Sequence, residues 1–267
     1  MKKTSDRLFS RFIGESFVRA VAGVTLLLFA GLWQGCHSDE GRDSTTGSET
    51  TPSTQNGQAG QGGQGGSSGQ TGGTGQVTTD TAGIASGLTA EGRPWKGAQT
   101  PGLVIYEYAD YECPYCKQGN DTLRDIAIKF KDWLRIVHLH FPLDTKCNTY
   151  INSGMHIRAC DCAFAGICAG KQGSFWPMHE RLFTQCNALD VEGLVKLAGE
   201  LGLDAKTFRA CLAAPETRQA VSEDVLEYAK YSKTVLLPSY RVGDKFYQGS
   251  MASAWWESTL LSARSAF

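Results

Sequence analysis

A pair of cysteines three residues apart, Cys113-Pro114-Tyr115-Cys116, stands just after the short apolar run Leu103-Val104-Ile105-Tyr106-Glu107-Tyr108-Ala109. This junction constrains the chain more than any other feature. A CxxC where a strand passes into a helix reads as redox chemistry. Residues three apart on a first helical turn bring their Cα atoms to about 5–6 Å, within the reach of a disulfide, so the pair can open and close over a fixed backbone. Pro114 suits the first helical position, where its missing N–H costs nothing. Cys113 then lies at the positive end of the helix, which favours its reactive thiolate. Structural zinc is the rival use of a CxxC, but Cys160, Cys162, Cys168, His156 and His179 match no common zinc spacing, and no metal is expected. An ordinary structural bridge is the other alternative.

The N-terminus implies export. Lys2, Lys3, Arg7, Arg11 and Arg19 precede an apolar run from Ala20 to Trp33 that ends at Gly35-Cys36. The run is shorter than the about 20 residues of a spanning helix, so a signal is expected rather than a bitopic anchor. Leu32-Trp33-Gln34-Gly35-Cys36 resembles a bacterial lipobox, although Trp33 stands where a Leu is usual. Residues 1–36 are therefore read as an export signal ending in lipidation of Cys36, with a simple secretory signal or an uncleaved anchor as alternatives. Residues 37–92, rich in Gly, Ser, Thr and Gln, cannot build a core and are expected to form a disordered tether. Residues 93–267 are expected to fold as one domain.

The net charge is −1 and no basic stripe runs along the chain, which gives nucleic acid no footprint. Nine cysteines beside an export signal point to an oxidising compartment. Setting aside Cys36, Cys113 and Cys116 leaves Cys147, Cys160, Cys162, Cys168, Cys186 and Cys211 as disulfide candidates. If Met155 to Ala169 is one helix, its three cysteines cannot reach one another. Full pairing then joins them to Cys147, Cys186 and Cys211, in one of six ways out of fifteen. The competing scheme is a Cys186–Cys211 bridge with one helix cysteine on Cys147 and two left free.

Helical spacing of Leu123, Ile126, Ala127 and Phe130 extends the helix from Pro114 to about Lys131. Val137, Leu139 and Phe141 alternate with His138 and His140 as in a strand, whose histidines are expected to face a helix or solvent. From about 150 to 233 apolar residues recur at three and four, with Asp190 and Asp204 as N-caps and Pro215 opening the last helix. Trp176 is expected in the core. Ser239–Val242 and Lys245–Gln248 flank Gly243-Asp244 as a hairpin, and a final helix runs from about Met251 to Ser265. The expected class is α/β, in the order β, α, β, helical insert, β, β, α.

That order resembles the thioredoxin fold with an inserted helical subdomain, as in DsbA-like thiol–disulfide oxidoreductases. It is most similar to the DsbA-like domains found beside vitamin K epoxide reductase homologues. The stretches that carry the likeness are Trp95-Lys96-Gly97, Val104 to Cys116, Phe141-Pro142-Leu143-Asp144, Gln172-Gly173-Ser174-Phe175-Trp176 and Leu237-Pro238. The resemblance implies that Cys113 is an exposed nucleophile and Cys116 its buried partner. It further implies that Pro238 is a cis-proline opposite the pair, and that Leu237 before it offers backbone groups to an extended substrate beside Pro114 and Tyr115. Glu107 matches a buried acid that moves the Cys116 proton; independently, a Glu within a buried strand should have a raised pKa. The chemistry needs no cofactor beyond the Cys113–Cys116 disulfide. Partners would be thiols or disulfides of exported proteins and a membrane redox protein, DsbB-like or vitamin K epoxide reductase-like, outside the cytoplasm. Disulfide donation is the expected direction, reduction or isomerisation the alternative. A non-catalytic, disulfide-stabilised binding lipoprotein is the alternative of another class.

Overall fold

A computed structural model describes residues 77–265. The export signal, Cys36 and the tether up to residue 76 lie outside the described residues. Strands β1 (Thr78–Thr79), β2 (Ala85–Leu88), β3 (Pro94–Gly97), β4 (Leu103–Ala109), β5 (Leu134–His140), β6 (Ser239–Val242) and β7 (Lys245–Gln248) form one sheet in the order β1-β2-β3-β5-β4-β6-β7. Only β4 and β5 run parallel, joined by α1 (Pro114–Lys129) in a crossover. Between β5 and β6 come α2 (Ala159–Lys171), α3 (Phe175–Gln185), α4 (Val191–Glu200), α5 (Ala205–Ala213) and α6 (Pro215–Ala229); α7 (Ser253–Arg264) follows the hairpin.

The sheet's alternation separates two cores. Ile105, Ile136, Tyr240 and Val242 pack with Leu123 and Ile126 of α1 and with Trp256 and Leu260 of α7. Tyr108, Val137, Leu139 and Phe141 belong to the core that the helical insert builds. Because cross-strand partners share a face, the register Tyr240–Glu107–His138 places these three polar side chains on the Ile105 face, toward α1. Asp190 and Asp204 cap α4 and α5 as expected, accepting from Gly193 and Thr207 amides at 2.8 and 2.7 Å. The Gly243-Asp244 hairpin has the expected register, Val242 opposite Lys245, with Gly243 at φ 57°.

Two expectations are corrected. The tether does not extend to residue 92, because β1 and β2 add two antiparallel strands to β3. A ladder is made by backbone groups, so a Gly/Ser/Thr-rich stretch joins a sheet whose neighbouring strand supplies the hydrophobic core. The helix with three cysteines begins at Ala159, not Met155. The Met155 and His156 amides donate instead to the Leu143 carbonyl at 2.9 and 3.2 Å, and the Arg158 amide to Glu112 Oε2 at 2.6 Å, which holds 155–158 as a loop.

The six remaining cysteines pair as Cys147–Cys160, Cys162–Cys186 and Cys168–Cys211, with Cα separations of 5.9, 6.0 and 5.7 Å. This is one of the six connectivities in which α2 supplies one cysteine to each bond. The Cys186–Cys211 scheme is overturned. At 100° per residue the three α2 cysteines point in different directions or sit turns apart, so each meets a different neighbour.

Candidate active site

Cys113 is the N-cap of α1, with extended backbone (φ −78°, ψ 118°) and Pro114 behind it at N1. Cys113 and Cys116 are free thiols in this structure. Cys113 is 7 % exposed and Cys116 fully buried. The likeness implied an exposed nucleophile; Cys113 is instead a buried residue that keeps the larger opening of the two. Tyr115 between them is 64 % exposed and offers its ring to solvent beside the pair.

The two thiols ionise very differently. A hydrogen bond from Cys116, with backbone amides of Cys116 and Tyr115, lowers the Cys113 pKa to about 7 against the pull of burial. Burial holds Cys116 well above the ordinary thiol value, and its hydrogen bond to Cys113 pushes the same way. A cysteine at the head of a helix is the usual setting for such a low value.

Across the site, the Leu237–Pro238 peptide is cis, as the likeness implied. Pro238 lies against α1 at Gly119, one turn beyond Cys116: a Cβ there would stand 3.1 Å from Pro238 Cγ and 2.4 Å from the Tyr240 hydroxyl. Glycine is the residue that lets the proline loop close on the CxxC helix. Among the described residues, no hydrogen bond occupies the Leu237 amide or carbonyl. Tyr115, Gln118, Thr122, Leu236, Leu237 and Met251 line a cleft of about 590 Å³ beside the proline.

Around Glu107 lies a polar cluster in which the sequence alone singles out Glu107, His138, His140, His179 and Trp176 but not Tyr111, Asn120 and Asp224. Glu107 is 1 % exposed, a buried acid within β4. Its Oε2 lies 3.3 Å from His138 Nδ1, while Oε1 has no partner among the described residues. Burial raises Glu107 to a pKa of about 7, with Lys96 opposing. Burial also keeps His138 well below its ordinary value, so the contact is a hydrogen bond to a neutral imidazole and not an ion pair. The His140 amide donates to Asp224 Oδ2 at 2.9 Å, and the His140 ring Nδ1 lies 3.3 Å from the same oxygen. His179 links the Tyr111 hydroxyl (3.0 Å) to Asn120 Oδ1 (2.8 Å). Trp176 is half-buried, its N–H on the Trp95 carbonyl and its ring under Lys96 Nζ at 4.2 Å. The six disulfide cysteines have no thiolate to offer a metal, and no three His, Cys, Asp or Glu side chains converge as ligands among the described residues.

Glu107 gives a stability prediction with a definite sign. In the folded protein it keeps its proton up to about pH 7, whereas the unfolded chain releases it near 4.5, so the native state binds more protons between those values. Stability therefore falls as pH rises across that window, by roughly 3 kcal/mol at most, and levels off above it. Glu107→Gln, a permanent mimic of the protonated acid, is expected to raise stability over wild type at pH 8 and to gain little at pH 5. Urea unfolding at the two pH values reads this directly; an equal effect at both would be inconsistent with a buried acid of raised pKa.

Sequence reasoning passed over Asp110 and treated His156 only as a stray ligand. The structure places both at the nucleophile. Asp110 is buried at the end of β4, its carbonyl accepting from the Cys113 amide at 3.2 Å, and His156 Nδ1 lies 3.0 Å from its Oδ2. The only sequence signal was position, an acid three residues ahead of Cys113.

Comparison with known proteins agrees with this geometry. Residues 104–256 match the family described as DSBA-like thioredoxin domain, which is more than half of the chain. A thioredoxin-like oxidoreductase from Silicibacter pomeroyi DSS-3 shares the fold with a TM-score of 0.53 at 21 % identity, covering 66 % of this chain and 94 % of that one. The catalytic domain of Proteus mirabilis ScsC aligns with a TM-score of 0.51 at 18 % identity, over 66 % and 90 % of the two chains. The thiol–disulfide exchange protein alpha-DsbA2 from Wolbachia pipientis aligns with a TM-score of 0.52 at 13 % identity, over 64 % and 86 %. Among curated sequences, the Na(+)/H(+) antiporter NhaA of Herminiimonas arsenicoxydans is 33 % identical over 155 residues, 58 % of this chain and 23 % of the antiporter. Antiporter NhaA 1 of Salinispora arenicola is similar at 32 % over 155 residues, 58 % of this chain and 22 % of that protein. The chain thus spans about a quarter of the length of the curated relatives it matches. These matches carry the DsbA-like likeness and not its finer link to vitamin K epoxide reductase homologues. The match spans the CxxC at the head of α1 and the proline loop that faces it, and on it the chain belongs to the DSBA-like thioredoxin domains.

Proposed function

We propose that the Cys113–Cys116 pair donates disulfides to extended segments of exported proteins, with the domain held outside the cytoplasm by a lipid on Cys36. The observation that supports exchange through this pair is the separation of the two thiols, Cys113 lowered to about 7 and Cys116 raised, which makes Cys113 the sulfur that is attacked and released. In the oxidised enzyme a substrate thiolate attacks Cys113 Sγ and expels Cys116, which takes up a proton, with Glu107 as its source. A second substrate thiolate attacks the substrate sulfur of the mixed disulfide and releases Cys113 as a thiolate. The substrate loses two electrons and gains a disulfide, while the enzyme becomes a dithiol. A thiol of low pKa is the better leaving group, so the acidity of Cys113 drives release and makes the pair more oxidising.

Leu237 is the natural docking strand. Its unoccupied amide and carbonyl suit an extended peptide that adds alongside Pro238, with Pro114 and Tyr115 flanking the sulfur and the Leu236–Met251 cleft taking an apolar side chain. Reoxidation would come from a membrane redox protein of the DsbB or vitamin K epoxide reductase kind. No cofactor is required, since the disulfide itself carries the electrons.

The decisive measurement is the potential of the Cys113–Cys116 couple equilibrated with glutathione. A donor is expected at about −120 mV, and a value of about −270 mV would make the protein a reductant and sink the donor reading.

A further inference from the structure

Asp110 is a puzzle for a site that needs a thiolate. It is 2 % exposed and stands directly ahead of the turn that carries the nucleophile. Its negative charge opposes ionisation of both Cys113 and Cys116. Yet its carboxylate is firmly held: Oδ1 accepts from the Glu112 amide at 2.7 Å and Oδ2 from the Leu143 amide at 2.6 Å. A buried carboxylate so placed is costly unless something compensates its charge.

What meets it is His156, whose Nδ1 lies 3.0 Å from the same Oδ2. The loop that delivers this ring is fastened at every side. Its Met155 and His156 amides share the Leu143 carbonyl, the Arg158 amide binds Glu112 Oε2, and Lys146 Nζ donates to the Ile157 carbonyl at 3.2 Å. The Cys147–Cys160 disulfide closes its base. The charged groups that face His156 are Asp110 from the end of β4, Glu112 from the turn and Cys113 from the head of α1, and all three favour its cation. The hydrogen bond to Asp110 is the largest of these influences, against partial burial, and raises the His156 pKa.

We propose that His156 is a positioning residue for thiol exchange: as an imidazolium paired with Asp110 it cancels that carboxylate's repulsion and so keeps Cys113 ready to ionise. The proposal rests on Cys113 as the exchanging sulfur, but not on the direction in which electrons run. Its coupling partner is Asp110, and the Cys147–Cys160 bond acts through it by fixing the loop. Replacing the histidine leaves an uncompensated buried acid beside the nucleophile, while replacing both members removes problem and remedy together.

The test is a titration of thiolate absorbance in the reduced full-length protein, for wild type, His156→Gln, Asp110→Asn and the double variant. His156→Gln is expected to lower the Cys113 thiolate fraction at pH 6 about fivefold and Asp110→Asn to raise it. In the protein that already carries Asp110→Asn, adding His156→Gln is expected to change the fraction less than about twofold. An unchanged thiolate fraction in His156→Gln, or an equal loss in both backgrounds, overturns the proposal, because a merely structural histidine would not distinguish them. Should His156→Gln fail to fold, His156→Lys carries the test. Its permanent charge is expected to keep the thiolate fraction within about threefold of wild type, and a tenfold loss overturns the proposal. The titration follows ionisation alone, so it separates these outcomes even in a protein that fails as a disulfide donor in the potential measurement.

Discussion

Cys113→Ser is expected to reduce disulfide exchange by at least about a thousandfold, while Cys116→Ser, which cannot form the donor disulfide, still attacks an outside disulfide through reduced Cys113 but cannot resolve the mixed disulfide that results. The asymmetry follows from burial and ionisation. Cys113 has the larger opening of the two, and with a pKa of about 7 roughly half of it is thiolate at neutral pH. A thiol at the ordinary value of 9.0 would be about 1 % ionised there, so the helix head and its hydrogen bonds enrich the reactive form on the order of fiftyfold. Cys116 is sealed and held above the ordinary range, so it can attack a mixed disulfide on the neighbouring Cys113 but not an outside disulfide. Reaction with an aromatic disulfide reagent, followed by mass spectrometry, reads both variants. Cys116→Ser should accumulate a lasting mixed disulfide on Cys113, and Cys113→Ser should stay unmodified under native conditions. Comparable native reactivity of Cys116 in the Cys113→Ser protein would reverse the assignment of roles.

The second large effect lies in the helical insert. Cys168–Cys211 closes the longest loop of the three, a sequence separation of 43, and joins the C-terminal part of α2 to α5. By chain entropy its removal should cost about 4 kcal/mol, a large fraction of the roughly 5–15 kcal/mol that holds a typical domain together. The Cys168→Ser, Cys211→Ser double variant is therefore expected to lose about 4 kcal/mol of stability, the largest loss among the three bonds. Cys147–Cys160, with a sequence separation of 13, should cost about 3 kcal/mol when removed in the same way. Denaturant midpoints for the two double variants test the ordering, which would be wrong if the shorter loop proved the costlier to open.

How far the sequence could be read depended on whether side chains or backbone carried the information. β4, α1 and the β6–β7 hairpin were legible because apolar spacing, Pro114 and Gly243 mark them locally. The pairing of α2 with three partners followed from helix geometry, although which partner took which cysteine did not. β1 and β2 escaped because they join the sheet through amides and carbonyls, and β3 begins with Pro94 and ends with Gly97, residues that ordinarily end a strand. In the site, Cys113, Cys116 and Glu107 announced themselves by chemistry within one short stretch. His138 beside Glu107, and His156 beside Asp110, come from 31 and 46 residues away. Nothing local in a histidine records the carboxylate it will meet. The loop that brings His156 back was hidden for a further reason, since its apolar and small residues read as the start of a helix until Leu143 and Glu112 claimed the amides.

The three bonds that converge on α2 make this chain itself a product of disulfide formation. A newly made chain carries these six cysteines as thiols, and five of the six paired positions lie on or between the insert's helices. One of these bonds, Cys147–Cys160, closes the loop bearing His156. Forming these three bonds removes six electrons, and the Cys113–Cys116 pair of the same chain can carry only two of them, so the finished insert depends on an oxidant outside the chain.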